Sequence, residues 1–463
     1  MTESTTTQDC NCDEQDNACS IVHIHSPVTN INICSDGCCD GGNGGNGGES
    51  DNEGEQGGTP SNPSNPSNPS DGSGRLYIPQ PLPVNKQQRI KKLGHDAQGG
   101  LVTMGVINTD GNGNNAIPDI VRFSADMSSA KHITYPATGG YTASGVAGVG
   151  DATYFSLSTG GESGILKLDA DSSQLEYRTS NAGTVLAFKD TLYAYTPRSI
   201  SEIGDDFRVK RSVNLPTLPA GVQLNAFTSD EAIYLHTDRW IARIDETLQV
   251  TAILEMGSTT PGFQEGIVDC GYADGHIYAA INANGFLNIM QADAQLDSRT
   301  LWQLSSTGYP DPLGGKIITE GRRMLVDKDG NLSIYGHRLI EGNFDYFMIT
   351  LDNTVALTDA FTLANDPVIR LNHRTPDNQL WYAATRGDLR AQPLFNKAFL
   401  TSTGGIMARG PLPLDELQLD DASLGMKAVT PGASTPNTEI ETLEADPLDI
   451  TVTDLDMSGV LSA

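Results

Sequence analysis

The chain has 463 residues, and its 58 Asp and Glu outnumber 29 Lys and Arg to leave a net charge of −29. A surface that acidic repels nucleic-acid phosphate and anionic lipid, which argues against both as partners. No run approaches the ~18 apolar residues of a membrane span.

The chain opens Met1-Thr2-Glu3-Ser4-Thr5, without the basic and apolar stretches of a Sec signal peptide. This predicts a protein kept in the cytoplasm or released by a route that needs no signal, as inside a virus particle at lysis. Six of the seven cysteines fall in residues 1–39: Cys10, Cys12, Cys19, Cys34, Cys38 and Cys39. Their spacing is not the C-x₂-C of a zinc site, and adjacent cysteines rarely ligate one metal. Disulfides within the module or between chains, a metal cluster with zinc or iron, and free thiols all remain open. Cys270 stands apart in a strand-like context and reads as a buried thiol.

Between these cysteines, Ile21–Ile33 alternates with period two, so it predicts a strand or short hairpin with His23 and His25 on one face. Two imidazoles at that spacing reach one metal, and three chains around a threefold axis would supply six. The pair resembles the His-x-His sites in trimeric spike tips and tail fibres of contractile-tailed phages. That resemblance implies octahedrally bound iron and a homo-oligomer. Two polar residues on a solvent-facing edge strand are the alternative.

Residues 40–85 read as a tether: Gly-Gly-Asn repeats, then three Ser-Asn-Pro units from Ser61 to Pro69. Gly maximises chain entropy and Pro blocks ladder bonding, so this stretch holds two ends apart rather than folding.

From 86 to 408 a pattern recurs. A strand introduced by an acidic or Gly turn appears at Gly99, Asp151, Asp190, Asp230, Asp274, Asp329 and Asp377, about 46 residues apart. Third strands follow at Ile165, Ile241 and Phe347, short fourth strands at Val250 and Thr300, and small-residue inner strands precede at Thr184 and Gly266. Four strands in each of seven repeats predict an all-β fold, a seven-bladed β-propeller with four-stranded blades. Within it, Asn108, Asp110, Asn112 and Asp119 take positions 1, 3, 5 and 12 of a calcium-type loop, with Gly113 at position 6. A Gly/Asn-rich hairpin loop is the alternative there. Residues 409–463 are expected as an acidic, extended tail: positions 410–463 hold eleven Asp or Glu against the single cation Lys427. The alternating end from Leu448 to Met457 is also suited to adding as a strand to a partner.

Gly-x-Ser-x-Gly, His-Glu-x-x-His and Walker-type loops are absent from the sequence. The layout of anchor, tether and displayed propeller points to a virion structural protein of a bacteriophage: a fibre, spike or capsid-attached decoration. It would dock on other virion proteins through residues 1–39 and bind a host surface ligand through the propeller. A non-viral adhesin or scaffold is the first alternative. A propeller enzyme acting on carbohydrate, with calcium as a possible ion, is the second.

Overall fold

The computed structural model describes residues 75–77, 87–108, 116–135, 141–159, 162–179, 183–222, 224–257, 265–306, 319–340, 343–363, 368–376, 380–385, 398–402, 408–412, 414, 417–438, 446–455 and 460–462. Contacts divide the chain into Met1–Asn68 and Pro69–Ala463, and every described residue belongs to the second unit. The six N-terminal cysteines, His23 and His25 therefore lie outside the described residues.

Those residues are all-β, without an α-helix, in seven five-stranded antiparallel sheets. The innermost strands of sheets 1 to 7 are Gln87–His95, Tyr141–Val149, Thr184–Phe188, Asn225–Thr228, Gly266–Ala273, Thr319–Val326 and Val368–Arg374. Each touches the next, and the seventh touches the first, which closes a ring. Seven hydrophobic clusters fill the spaces between neighbouring sheets. The cluster of Leu93, Phe123, Trp381 and Ala383 joins sheet 7 to sheet 1. The arrangement is that of a β-propeller: no sheet can bury both faces alone, and each uses its neighbours to do so. The strands expected after Gly99, Asp151, Asp190, Asp230, Asp274, Asp329 and Asp377 all take the second position in their sheets.

Five strands stand where four were expected, and the fifth comes from the acidic C-terminal segment. Ala408–Pro411 pairs with sheet 6, Leu417–Asp421 with sheet 5, Met426–Val429 with sheet 4 and Thr435–Pro436 with sheet 3. Asp446–Leu448 then pairs with sheet 2, Thr451–Asp454 with sheet 1 and Val460–Ser462 with sheet 7. The segment is a belt that runs around the ring against the order of the chain. Its alternation turns Leu412, Leu417 and Met426 into the clusters between sheets while Asp420, Asp421 and Asp454 face water. Each buried apolar side chain stabilises by about 1.5–3 kcal/mol. The strands are short, acidic and interrupted by Pro, features that blunt an outer edge against further pairing.

Sheet 7 is completed from both ends of the chain. Arg75–Tyr77, expected within the tether, is its fourth strand, lying between Ala398–Ser402 and Val460–Ser462.

A second repeat lies in the hairpins from third to fourth strand. In sheets 1 to 6 these turns place Met127, Ser172, Phe207, Leu248, Leu296 and Val355 at positive φ, between 57° and 65°. All six are buried. Asp245 shows how the turn is held: its Oδ1 accepts from the Thr247 amide, the Thr247 hydroxyl and the Gln249 amide at 2.7–3.0 Å. Left-handed backbone costs a non-glycine residue roughly 1–2 kcal/mol. Burial of the side chain and the carboxylate's hydrogen bonds offset it.

Candidate functional site at the ring axis

The innermost strands carry a shared irregularity. A bulge falls between Ile90 and Lys92, Ala143 and Gly145, Ile267 and Asp269, Gly321 and Arg323, and Ile369 and Leu371. A bulge inserts one unpaired residue and re-aims the side chains beside it. Lys92, Gly145, Asp269, Arg323 and Leu371 are thus equivalent, one per sheet, in a single layer of the ring.

Gly145 is small for a local reason: a Cβ there would stand 2.6 Å from the Val185 carbonyl of the next sheet. Lys92, Asp269 and Arg323 carry the layer's charge. Asp269 in sheet 5 and Arg323 in sheet 6 both act electrostatically on Lys92 in sheet 1, although neither sheet is its neighbour in the ring. Lys92 and Asp269 both act also on His236 at the end of the second strand of sheet 4. Asp269 is tied to its wall, its Oδ2 accepting from the Met324 amide at 3.3 Å.

Further cations and imidazoles surround this layer. The His95 and His373 rings stack at 5.1 Å, with His95 Nδ1 2.9 Å from His373 Nε2. One of these nitrogens donates and the other accepts, so the pair shares a single proton between them. Arg322 Nε donates to His337 Nδ1 at 3.2 Å, which places the His337 proton on Nε2. Arg374 acts on both His95 and His373.

Burial governs the titration of these groups. It lowers the Lys92 ammonium from its ordinary value; Asp269 raises it and Arg323 lowers it further. Burial and the Arg322 charge bring His337 down to about 4. Burial, the His95 ring, Lys92 and Arg374 hold His373 well below its usual range. His95 is lowered by burial and by Arg374, against Asp96, and His236 by burial against Asp269. All four histidines are neutral at pH 7. Burial, then Asp269, pushes the Cys270 thiol well up, so it is no nucleophile.

Asn108 ends the second strand of sheet 1, and Asp110 and Asn112 lie outside the described residues. Asp119 sits inside the third strand, buried, with Oδ1 2.5 Å from His132 Nε2. Among the described residues, no group of three or more His, Cys, Asp or Glu is placed to hold a metal ion.

Motif reading missed the axial cluster, because its members come one or two at a time from separate repeats. The signal was there: the dibasic pairs Lys91-Lys92 and Arg322-Arg323, each on an inner strand of a chain with twice as many acids as bases.

No family model matches the chain, and no curated protein sequence matches it significantly. Solved structures resemble it at low identity. Apo AztD from Citrobacter koseri is 12% identical, covering 78% of this chain and 98% of its own, with a TM-score of 0.34. The WD40 domain of Toxoplasma gondii coronin is 10% identical over 72% of this chain and 91% of its own, at 0.42. A Lactobacillus plantarum protein is 12% identical over 71% and 95%, at 0.40. Likeness at this level transfers no function.

Proposed function

We propose that this chain is a tethered binding protein: a seven-bladed β-propeller displayed on a virion appendage, with its ligand site at the ring axis. The sequence layout of cysteine module, tether and propeller supports display, and docking on virion proteins falls to residues 1–39. The observation that carries the binding site is the equivalent bulge position of Lys92, Asp269 and Arg323 on the innermost strands of sheets 1, 5 and 6, with Asp269 and Arg323 both acting on Lys92. Side chains of mixed charge, gathered where five bulged strands face each other, are what a recognition site requires.

The test compares full-length protein with a variant starting at Gly74. Full-length protein is expected to be an oligomer that attaches to host envelopes, and the variant a monomer that competes for the same receptor at higher concentration. Equal mass for both, with no attachment by either, would remove the display reading.

A second reading, an enzyme acting on carbohydrate, is favoured by the buried neutral histidines of the ring, His236 among them within the field of Asp269. Neutral imidazoles can move protons near pH 7. Recovery of a glycan ligand chemically unchanged after prolonged incubation separates binding from turnover.

A further inference from the structure

We infer that the junction of sheets 7 and 1 is an acid-released seam: His95 and His373 hold it while both rings are neutral, and protonation of the pair frees one sheet from the other. The device goes beyond the binding reading above and does not depend on it. His95 ends the innermost strand of sheet 1, and His373 lies on the innermost strand of sheet 7, so their contact spans the place where the ring closes. Nδ1 of one ring stands 2.9 Å from Nε2 of the other, with the rings stacked 5.1 Å apart and 25° from parallel.

The joint around this contact is thin in apolar side chains. In the cluster between the two sheets, sheet 7 supplies only Trp381 and Ala383 among the described buried residues. Between sheets 5 and 6, by contrast, Tyr278, Leu287 and Ile289 meet Leu332, Phe347 and Ile349. Apolar hold scales with the area buried, so a single polar contact carries a larger share at the seam than elsewhere in the ring.

With both rings neutral, one facing nitrogen bears a hydrogen and the other a lone pair. A proton added to that lone pair turns the contact into two N–H groups aimed at each other. A proton added to the far nitrogen of the donor ring keeps the bond but leaves a cation in the wall, where Lys92 acts on His373 and Arg374 on both rings. Asp96, in the turn after His95, opposes this, but its carboxylate is engaged by Arg122 Nε and by the Gln98 and Gly100 amides. Asp327 of sheet 6 acts on Arg374 and supports its charge. Packing around the pair disfavours a charge on either ring, while both residues keep enough exposure for solvent protons to reach them.

The belt limits how far the seam opens. It passes from Thr451–Asp454 on sheet 1 to Val460–Ser462 on sheet 7, and the Leu455 amide donates to the Ala130 carbonyl at 2.9 Å. Acid therefore produces a local opening, in which the sheet that contains Arg75–Tyr77 loosens without leaving the ring.

Hydrogen–deuterium exchange of the full-length chain, at about pH 7.5 and about pH 5 and corrected for the intrinsic pH dependence of exchange, tests this. Amides of Gln87–His95 and Val368–Arg374 are expected to exchange on the order of tenfold faster at the lower pH, since each refused proton shifts opening by up to about tenfold per pH unit. Gly266–Ala273, the innermost strand of sheet 5, should change much less. Replacing the pair together, His95→Gln with His373→Gln, keeps a hydrogen-bonding contact that does not titrate, and the difference at the seam should vanish. His276→Gln, in an exposed turn, should retain it. An equal response in all seven innermost strands, no response in those of sheets 7 and 1, or a full response in the paired variant overturns the proposal. If the paired variant does not fold, the pattern in the parent protein decides alone. Host attachment plays no part in the measurement, so display can fail while the seam stands, and the reverse.

Discussion

Asn282 in sheet 5 spends both halves of its side-chain amide on Gly321 in sheet 6, donating to the Gly321 carbonyl at 2.9 Å and accepting from its amide at 2.8 Å. The side chain is 3% exposed, so neither bond has water as a substitute. It fastens one sheet to the next beside the bulge that presents Arg323. Asn282→Leu should lower stability by about 2–4 kcal/mol, since it strands two buried backbone groups. An unchanged denaturation midpoint in urea would show that the clusters alone set the spacing of these sheets.

The hairpin turns predict an order of effects. Leu248→Ala removes a fully buried side chain and keeps the left-handed backbone, so a loss of about 2–5 kcal/mol is expected. Asp245→Ala removes hydrogen bonds at a partly exposed carboxylate, and its loss should be smaller, about 1–2 kcal/mol. Chemical denaturation of both variants checks the ranking, and the reverse order would mean that the Asp turn rather than the apolar anchor holds the hairpin.

Acid should loosen the ring through its histidines. Each of His95, His236, His337 and His373 has a folded pKa below its unfolded value of about 6.5. Above pH 6.5 neither state binds the proton and stability is unaffected. Below it the unfolded chain gains protons that the folded chain refuses, so stability falls with pH. For His337 the fall continues to about pH 4, where the folded state also protonates. The slope is at most about 1.4 kcal/mol per pH unit for each histidine. His337→Gln should flatten the dependence between pH 6.5 and 4; an identical pH profile in the variant would place the acid sensitivity elsewhere.

Removal of the belt makes the fourth prediction. Truncation after Ser402 uncovers the outer edge of every sheet and the apolar sites filled by Leu412, Leu417 and Met426. The product should self-associate, since bare edges template pairing. A separate peptide of residues 403–463 should return it to a monodisperse species in size-exclusion chromatography. A truncated chain that stays monodisperse alone would show that the four inner strands protect themselves.

Much of the fold was legible because its signals are local. An acidic or Gly turn followed by apolar alternation marks each second strand, as at Asp190-Thr191-Leu192-Tyr193 and Asp274-Gly275-His276-Ile277. The belt was not, because strands as short as Thr435–Pro436 carry no periodicity, and their partners lie from tens to hundreds of residues upstream. Its composition reads as a solvated segment because its acids do face water; only the register shows that Leu412, Leu417 and Met426 do not. The axial site escaped for a related reason. Lys92, Asp269 and Arg323 lie far apart in sequence, and only ring closure and the repeated bulge bring them into one layer.

The double completion of sheet 7 has a mechanical meaning. Arg75–Tyr77 is gripped on one flank by Ala398–Ser402 and on the other by the end of the belt. A pull delivered through the chain ahead of Arg75 bears on the seam where the ring closes and where the belt terminates. Antiparallel pairing on both flanks resists it in shear, with several hydrogen bonds loaded at once rather than one after another. The same strand that shuts the ring is the point at which it would be towed.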